Sequence, residues 1–374
     1  MFYEELLKYK PFELNKIEKD KLLKASLKES LEHHFQNSKE YQKYCRKKGF
    51  LPPFENINYE DIPFFPVDIF KNFHLSSVPE NSLVRTLNSS ATTSQTPSSI
   101  YLDDITRKRQ VKTLIWLLSD FIGKERIPFL IFDADPRKNN LDNKITARNA
   151  AIRGFLVAAS QSEYFMNVDA KNELKVDLPK LINFLAEVEK QKTKVILFGF
   201  TYVLFAHVAK QLQQQNIKFN LANSLIIHIG GWKKLQSEAV SKNVFNNTLS
   251  SVFGVQTNNI LDSYGFTEQL GIIYIDCEDG LKRCPLVSEI IIRDPGTLQQ
   301  LPDGEPGLVE FISPLPFSYP GCAVLLDDIG RVVTRNSDSH GRNGTAFEIL
   351  GRAKEAEVRG CGDIMAEKII SEDR

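Results

Sequence analysis

An excess of charge of either sign is absent from this sequence, in which 47 Lys and Arg residues balance 47 Asp and Glu residues. Because binding to nucleic-acid phosphates needs a basic surplus, no nucleic acid is expected as a partner. No apolar run approaches the roughly 18 residues that a membrane-spanning helix needs, so no membrane span is expected. The N-terminal segment lacks the long apolar core of a signal peptide. We therefore expect a cytoplasmic protein.

Cysteine is also scarce, and the five cysteines are odd in number, widely spaced and without a CxxC pair: Cys45, Cys277, Cys284, Cys322 and Cys361. This pattern argues against a disulfide framework and against a zinc site built from paired cysteines. We expect reduced thiols in a reducing compartment. With 374 residues, 42% of them hydrophobic, the chain can form one large globular domain or two unequal ones.

An amphipathic helix is predicted from Asn15 to Phe35. Asn15 can cap its N-terminus, and Glu18 follows three residues later, as in a capping box. Leucines at positions 23, 27 and 31 recur every four residues on one face. We expect this helix to pack as an outer layer of the fold, with the pair His33-His34 on the surface.

Three continuous apolar segments indicate buried strands, namely Ile127–Phe132, Lys194–Phe200 and Leu225–Ile229. Helical patterns separate them, and such alternation is typical of a parallel sheet in an α/β fold. Beyond residue 285 the pattern becomes β-rich, with strands expected at Glu289–Arg293 and Gly307–Ile312. The sequence therefore predicts an α/β protein with a smaller β-rich part.

The densest cluster of hydroxyl side chains is the segment Asn88–Pro97, which follows an apparent strand. Hydroxyls and backbone N–H groups in such a loop can bind phosphate oxygens. An ordinary flexible Ser/Thr loop has the same composition, and the segment lacks the glycines that let a backbone approach phosphate most closely. Both interpretations stay open on these residues alone.

The segment SYGFTEQLG, which begins at Ser263, offers three side chains that suit a nucleotide. Tyr264 can supply a flat face for a purine, Thr267 a hydroxyl for phosphate and Glu268 a carboxylate for Mg²⁺. A strand-to-helix turn capped by Thr267 fits the same residues. Both interpretations can hold together.

Two short motifs lie at expected strand ends. Gly230-Gly231 can let a planar ligand lie against the backbone, and a plain tight turn has the same sequence. Asp327-Asp328 can accept two hydrogen bonds from a ribose diol, and an acidic turn is an equal alternative.

Cys361 lies between two glycines and two residues after Arg359. The glycines should leave the thiol accessible, and a nearby cation favours the thiolate, as in a nucleophilic cysteine. A lone cysteine is more often structural. The local residues do not decide between these roles.

The order of these motifs resembles the adenylate-forming superfamily, and most closely the LuxE acyl-protein synthetases, which are long-chain-fatty-acid–luciferin-component ligases. The resemblance covers nearly the whole chain. It rests on DIPFFPVDIF from Asp61, the Ser/Thr loop, FGFTYVLF from Phe198, GGWKKL from Gly230, SYGFTEQLG from Ser263, LPDGEPG from Leu301 and GRAKEAEVRGC from Gly351. Each segment is short, but their order and spacing are specific.

The resemblance implies the N-terminal-type domain of an adenylate-forming enzyme, with mixed and parallel sheets flanked by helices. Residues 1–80 would form a helical region packed on the main domain, and residues 81–285 the α/β adenylation core. Residues 286–350 would form a β-rich subdomain. Residues 351–374 would be a short C-terminal segment that carries Cys361.

The resemblance also implies a site for ATP and Mg²⁺. It assigns the β- and γ-phosphates to Ser89, Ser90, Thr92 and Thr93. The adenine would lie against Gly230, Gly231 and Tyr264, with Gly265 beside them. Thr267 would bind the α-phosphate, Glu268 would bind Mg²⁺, and Asp328 would bind the ribose, with Arg352 near the nucleotide. Cys361, Thr267 and Glu268 would carry the catalysis.

The implied reaction activates a long-chain fatty acid as an acyl-adenylate and transfers the acyl group to Cys361 as a thioester. The implied partners are the fatty acid and possible acyl reductase and acyltransferase subunits, in bioluminescence or in another biosynthetic pathway.

The sequence departs from the family's pattern in three places. Ala91 and Ser94 replace the glycines of the family's phosphate loop. Residues 338–342 read DSHGR where relatives often have CPCGR, so no metal or thiol role is expected there. Only a short segment follows Arg352, in which Lys368 is an unsupported candidate for a lid lysine.

Two alternatives therefore stay open. One is an adenylating ligase that passes the acyl group to coenzyme A or a carrier protein. The other is a binding protein that has lost turnover, for which Ala91 and Ser94 are the best argument.

Overall fold

The computed structural model describes residues 2–88, 98–137, 147–169, 174–232 and 238–353. The chain divides into two compact units. Unit 1 comprises residues 1–121, 146–150 and 265–374, and unit 2 comprises residues 122–145 and 151–264. The four-part domain division expected from the sequence stays a prediction.

The α-helices of the described residues, in chain order, are α1 (Phe2–Leu6), α2 (Lys16–Asn37), α3 (Lys39–Lys47), α4 (Ile69–Asn72), α5 (Asp104–Ile122), α6 (Ala147–Phe155), α7 (Leu178–Gln191), α8 (Lys210–Gln214) and α9 (Lys242–Phe253). Short 3₁₀ turns span Tyr59–Asp61, Glu80–Ser82, Leu156–Ala158, Thr257–Asn259 and Thr267–Gln269, and a π-helical segment spans Val203–Ala209. Within the described ranges, no helix is both long and apolar enough to cross a bilayer.

The strands of the same residues are β1 (Phe65–Pro66), β2 (Leu83–Asn88), β3 (Ser99–Asp103), β4 (Ile127–Ala134), β5 (Ala159–Val168), β6 (Leu174–Val176), β7 (Ile196–Phe200), β8 (Leu225–Ile229), β9 (Ile260–Tyr264), β10 (Tyr274–Ile275), β11 (Lys282–Arg283), β12 (Glu289–Arg293), β13 (Gly307–Ile312), β14 (Ala323–Thr334) and β15 (Ala346–Arg352).

Unit 2 is built on a sheet in which its strands follow the order β9-β8-β7-β4-β5-β6. The first five pair in parallel, and β6 pairs antiparallel with β5. Strands β4 and β7 are almost wholly buried, because their continuous apolar side chains leave neither face polar enough for water. The parallel α/β sheet predicted from the three apolar segments is confirmed.

Unit 1 contains an antiparallel sheet in the order β11-β15-β14-β13-β12, with β1 added in parallel to β14. A separate hairpin-like pair joins β2 and β3. The β-rich pattern beyond residue 285 therefore corresponds to real strands, and the predicted α/β fold class is confirmed. Strand β14 is long because it pairs with β13 from Ala323 to Gly330 and with β15 from Asp328 to Thr334.

Helix α2 confirms the helix predicted between Asn15 and Phe35. The Asn15 side chain accepts a 3.1 Å hydrogen bond from the backbone N–H of Glu18, as in an N-cap. The three leucines of the predicted face are fully buried. Burying each of them stabilises the fold by roughly 1.5–3 kcal/mol.

The expected surface position of the histidine pair on α2 is wrong for His34. Its side chain is fully buried, and its ring nitrogens lie 2.8 Å from the Ser77 hydroxyl and 3.2 Å from the Pro316 carbonyl oxygen. Burial and, to a smaller extent, the neighbouring His33 lower the pKa of His34 to about 3. Other parts of the chain pack against helix α2 at His34, so this polar residue does not face water.

The segment Asp61–Phe70, whose two prolines predict irregular structure, contains the short strand β1 and leads into α4. Pro66 lies in that strand, where its missing N–H is tolerated because the segment adds to the sheet through β14 alone. Phe65 and Phe70 are buried, and their rings meet edge to face with centroids 6.3 Å apart. The aromatic side chains of the segment therefore pack in a core.

Candidate active site

The turn that carries Thr267 and Glu268 is held by core contacts in unit 1. The Tyr319 hydroxyl donates a 2.7 Å hydrogen bond to the backbone carbonyl oxygen of Glu268. The next residue, Gln269, donates through its side-chain amide to the carbonyl oxygen of Gly321 at 3.0 Å. Tyr319, Gln269 and Glu268 are all buried. These contacts fix the backbone of the turn and hence the direction of the Glu268 side chain.

Gly271 closes this motif at a position that no other residue can occupy without strain. Its φ is +106°, in the left-handed region, and an added Cβ would lie 2.6 Å from the Cα and 2.8 Å from the carbonyl oxygen of Gln110. Helix α5, which carries Gln110, therefore approaches the motif at backbone distance. The glycine explains why the motif packs so closely on this helix.

Among the predicted site residues that the structure describes, Glu268 is the most buried, with 3% of the residue exposed. Burial raises its pKa, because removal of water penalises the ionised form. The side chain of Ser98 and the charge of Lys71 act in the opposite direction and favour the carboxylate. The hydroxyl and the lysine therefore favour an ionised carboxylate at a position where burial alone would favour the neutral acid.

Ser98 connects Glu268 with the hydroxyl-rich loop. It is buried and immediately precedes β3, whose first residue, Ser99, pairs with Asn88 at the end of β2. The Ser99 hydroxyl donates a 3.0 Å hydrogen bond to the Asn88 side chain. The two ends of the loop are thus fixed side by side, and one of them reaches Glu268.

The loop itself, residues 89–97, lies outside the described residues. The predicted phosphate ligands Ser89, Ser90, Thr92 and Thr93 therefore remain predictions.

Asp328 and Arg352 face each other across β14 and β15. Arg352 Nε lies 3.6 Å from Asp328 Oδ1, and the Arg352 side chain is largely exposed. The expectation that Asp327-Asp328 ends a strand is wrong, because β14 continues to Thr334. The strand does not end there because β15 pairs with it from Asp328 to Thr334, and the β14–β15 ladder shifts register between Ile329 and Gly330.

Asp327 interacts electrostatically with both Asp328, the candidate ribose ligand, and Glu268. Burial raises its pKa, and the charges of Asp68 and Asp328 raise it further, whereas Lys71 and Arg352 lower it. The charge of Asp327 also raises the pKa of Glu268. Glu268 and Asp328 therefore belong to one group of charged side chains in unit 1.

Unit 2 brings the remaining predicted residues together at the carboxyl ends of its parallel strands. Gly230 and Gly231 directly follow β8, and Tyr264 is the last residue of β9, one position beyond the pairing of Ile229 with Ser263. Gly230 and Gly231 have φ values of +86° and +56°. The carboxyl ends of parallel strands are the usual place for ligands in α/β sheets.

A polar cluster outside the predicted site residues forms around His228, two residues before Gly230. The Thr201 hydroxyl is 3.0 Å from His228 Nδ1, and His228 is buried at the end of β8, 3.5 Å from Asp262. The Ser263 hydroxyl donates a 2.9 Å hydrogen bond to the His228 carbonyl oxygen. These contacts fix the turns that present Gly230 and Tyr264.

The structure thus groups the predicted residues in two sets. Unit 1 contains Gly265, Thr267, Glu268, Asp328 and Arg352, and unit 2 contains Gly230, Gly231 and Tyr264. The boundary between the units falls within the SYGFTEQLG motif, after Tyr264.

Cys361, the predicted acyl acceptor, lies outside the described residues. The four cysteines that are described are all free and buried. Burial raises the pKa of Cys45, Cys277 and Cys322 to about 12 each. None of these three thiols is suited to be a thiolate near neutral pH.

Glu278, Asp338 and His340 offer ligand atoms within 4.8 Å of one another, and the last two lie in the segment where no metal role is expected. Arg342 already binds Glu278, and Arg283 Nε lies 3.8 Å from Asp338. Two guanidinium groups beside these carboxylates oppose a further cation. We assign no metal to this cluster.

The fold is similar to that of 2-hydroxyisobutyryl-CoA ligase. A crystal structure of 2-hydroxyisobutyryl-CoA ligase in complex with 2-HIB-AMP and CoA matches with a TM-score of 0.69 at 13% identity, covering 92% of this chain and 70% of that chain. An open conformation of the same ligase matches with a TM-score of 0.68 at 12% identity, covering 91% and 71%.

A family model for the LuxE acyl-protein synthetases matches residues 3–370. The chain belongs to this family, and the prediction that it is an enzyme of the ligase class is confirmed. The long-chain-fatty-acid–luciferin-component ligase of Vibrio harveyi is 25% identical over 359 residues, covering 95% of this chain and 90% of that protein. The ligase of the same name from Aliivibrio fischeri is 25% identical over 363 residues, covering 96% and 90%.

Proposed function

We propose that this protein activates a long-chain fatty acid with ATP and then transfers the acyl group to its own Cys361. In the first step a fatty carboxylate oxygen attacks the α-phosphorus of ATP, and pyrophosphate leaves. In the second step the Cys361 thiolate attacks the acyl carbonyl carbon, the bond to the phosphate oxygen breaks, and AMP leaves. The products are an acyl-enzyme thioester, AMP and pyrophosphate.

The observation that carries the proposal is the proximity of the Ser98 side chain to the buried Glu268 carboxylate, whose ionised form it favours, in a chain with the adenylate-forming fold. It joins the buried carboxylate to one end of the hydroxyl-rich loop. Such a loop offers donors to phosphate oxygens, and the carboxylate offers a ligand to the cation that accompanies ATP. The names of the two curated relatives support a long-chain fatty acid as substrate.

The family resemblance gives each remaining predicted residue a role in this proposal. In unit 2, Tyr264 and the backbone at Gly230-Gly231 would hold the adenine. In unit 1, Thr267 would donate to the α-phosphate and Asp328 would accept from the ribose hydroxyls, with Arg352 beside it. The hydroxyl-rich loop would hold the β- and γ-phosphates.

Glu268 fits a magnesium ligand, because Mg²⁺ is commonly held by one or two carboxylates together with substrate phosphates. When bound, the ion supplies positive charge that neutralises phosphate oxygens. Burial of Glu268 keeps competing water away, and Lys71 and Ser98 favour its ionised form.

The acceptor role of Cys361 is supported by its sequence context and by the raised pKa values of the buried thiols elsewhere in the chain. A thiol flanked by glycines and near Arg359 is better suited to be a nucleophile than a thiol in a core. Delivery of the acyl group to a reductase or another acceptor is part of the same proposal.

The test uses purified protein with ATP, Mg²⁺ and a radiolabelled long-chain fatty acid. We expect label on the protein that neutral hydroxylamine releases, and we expect it to be absent in Cys361→Ser. Cys277→Ser serves as the matched control and should keep the label. Label that persists in Cys361→Ser rejects the acceptor. Acyl-CoA formed with added coenzyme A but without labelled protein selects a CoA ligase instead, and absence of any ATP-dependent product rejects adenylation.

A further inference from the structure

Lys71 lies where the sequence gives no phosphate-binding motif, yet the fold places it beside the carboxylates of the candidate site. It belongs to α4, which directly follows the segment containing β1. Strand β1 pairs in parallel with Val324 and Leu325 of β14, and the Val67 N–H donates a 2.9 Å hydrogen bond to the Leu325 carbonyl oxygen. This register brings α4 to the part of β14 that continues into Asp327.

A second anchor fixes α4 from the other side. Phe70 is buried, and its ring meets that of Tyr319 edge to face with centroids 6.1 Å apart. Tyr319 is the residue whose hydroxyl holds the Glu268 carbonyl oxygen. Lys71, the next residue along the helix, is therefore held close to the same turn.

Three carboxylates lie within electrostatic range of the Lys71 ammonium group. It forms an ion pair with Asp68 and interacts electrostatically with Glu268 and Asp327. The Lys71 and Asp68 side chains are 22% and 27% exposed, so the pair is neither a core ion pair nor a freely solvated surface pair. A lysine in this setting remains accessible to a ligand that reaches Glu268.

Adenylation places a strong demand for positive charge at this point. A triphosphate carries several negative charges, and further charge develops on the pyrophosphate group as it leaves. The sequence of the hydroxyl-rich loop has Ala91 and Ser94 in place of glycines, which limits the number of close backbone contacts to phosphate. The compact positive charge of the Lys71 ammonium group is suited to supply the phosphate contacts that such a loop lacks.

We propose that Lys71 binds the β- and γ-phosphates of ATP and the departing pyrophosphate, with Asp68 holding its ammonium group in place. This inference rests on the proposed function, because it assigns a residue to the leaving group of that adenylation. It makes Lys71 a catalytic residue of the first step with no role in the transfer to Cys361.

The test compares binding of ATP, pyrophosphate and AMP to the full chain without fatty acid, by isothermal titration calorimetry. Lys71→Ala should weaken binding of ATP and pyrophosphate by about ten- to a hundredfold, the usual worth of a hydrogen bond to a charged group. AMP lacks the β- and γ-phosphates, so its affinity should change by less than about twofold. Lys71→Arg should recover part of the loss.

Two further variants separate a phosphate contact from a structural role. Lys8→Ala removes a lysine from another i,i+3 ion pair of unit 1, with Glu5, and should change none of the three affinities. Asp328→Ala removes the ribose candidate, so it should weaken ATP and AMP alike. Thermal unfolding of each variant shows whether it is folded.

Equal losses for ATP and AMP in Lys71→Ala would mean that Lys71 supports the fold of the site and not the phosphates. Unchanged ATP affinity would reject the contact outright. Fatty-acid-dependent exchange between ATP and pyrophosphate in the wild type tests the proposed function separately. If the wild type exchanges and Lys71→Ala exchanges equally well, this inference fails alone. If the wild type shows no exchange, the proposed function fails first.

Discussion

The hydroxyl of Tyr319 donates a 2.7 Å hydrogen bond to the carbonyl oxygen of Glu268, although 51 positions separate the two residues in the chain. Both residues are buried. The bond ties the SYGFTEQLG motif to the loop between β13 and β14. It fixes the backbone from which the Glu268 carboxylate projects.

Tyr319→Phe is expected to leave this buried carbonyl oxygen without its donor. The loss should lower the free energy of unfolding by about 1–2 kcal/mol and also reduce the rate of adenylation, because the Glu268 turn is less well fixed. Denaturant unfolding and ATP–pyrophosphate exchange measure the two effects. Tyr9→Phe, at an exposed tyrosine, is the control. A variant with reduced stability but a wild-type exchange rate would contradict the link to Glu268.

Glu268→Gln is expected to reduce activity without reducing stability. Exchange should fall by roughly a hundredfold or more, because the neutral amide is a poor ligand for a divalent cation. The free energy of unfolding at neutral pH should stay equal or rise, because burial disfavours the ionised carboxylate, as its raised pKa indicates. The exposed Glu305→Gln serves as a control. Exchange at the wild-type rate in Glu268→Gln would remove Glu268 from the site.

Gly271→Ala tests the close approach of the motif to α5. The left-handed backbone and the short distances to Gln110 should together destabilise the protein by about 3 kcal/mol or more. Gly304→Ala provides the matched control, because Gly304 has a φ of +93° and an added Cβ would meet no atom within 4 Å. It should cost only the backbone strain, about 1–2 kcal/mol. Equal losses for both variants, measured by denaturant unfolding, would mean that the contact with Gln110 is unimportant.

His34 is expected to make stability depend on pH. Its pKa is lowered from 6.5 to about 3 in the folded protein, chiefly by burial. The unfolded chain therefore binds a proton that the folded chain does not. The stabilisation that His34 provides is present above pH 6.5 and is lost as the pH falls from 6.5 towards 3.

The loss between pH 7 and pH 4.5 should be about 2.5 kcal/mol. Unfolding measured at both pH values should show it in the wild type and in the exposed control His340→Gln. His34→Gln should be less stable at pH 7, because two buried contacts change, but it should show a smaller difference between the two pH values. An unchanged difference in His34→Gln would assign the pH dependence to other groups.

Local patterns in the sequence predicted much of the fold. The four-residue spacing of leucines and the cap at Asn15 predicted α2, and the continuous apolar segments predicted β4, β7 and β8. These signals are reliable because each depends on residues that are close in sequence. The sequence was wrong where partners come from far along the chain, as at His34, which other elements bury, and at Asp328, where β15 extends β14.

The residues of the candidate site also divide into those that the sequence predicted and those that only the structure revealed. Tyr264, Thr267 and Glu268 could be chosen from the sequence because a purine, a phosphate and a metal ion need known side chains at short spacing. Ser98, Lys71 and Tyr319 could not be chosen, because none of them carries a local motif. Lys71 directly follows DIPFFPVDIF in the sequence, but only the pairing of β1 with β14 shows that it lies near the candidate site.

The sequence by itself determined the α/β class, the helix that buries its leucines and the three side chains of the SYGFTEQLG motif most suited to a nucleotide. Only the tertiary structure decided that Glu268 is buried, that Ser98 joins it to the hydroxyl-rich loop and that Lys71 lies beside it. The physical reason is that burial and electrostatic environment arise from contacts between distant parts of the chain. Residues 71, 98, 268 and 319 meet only when the strands around them have paired.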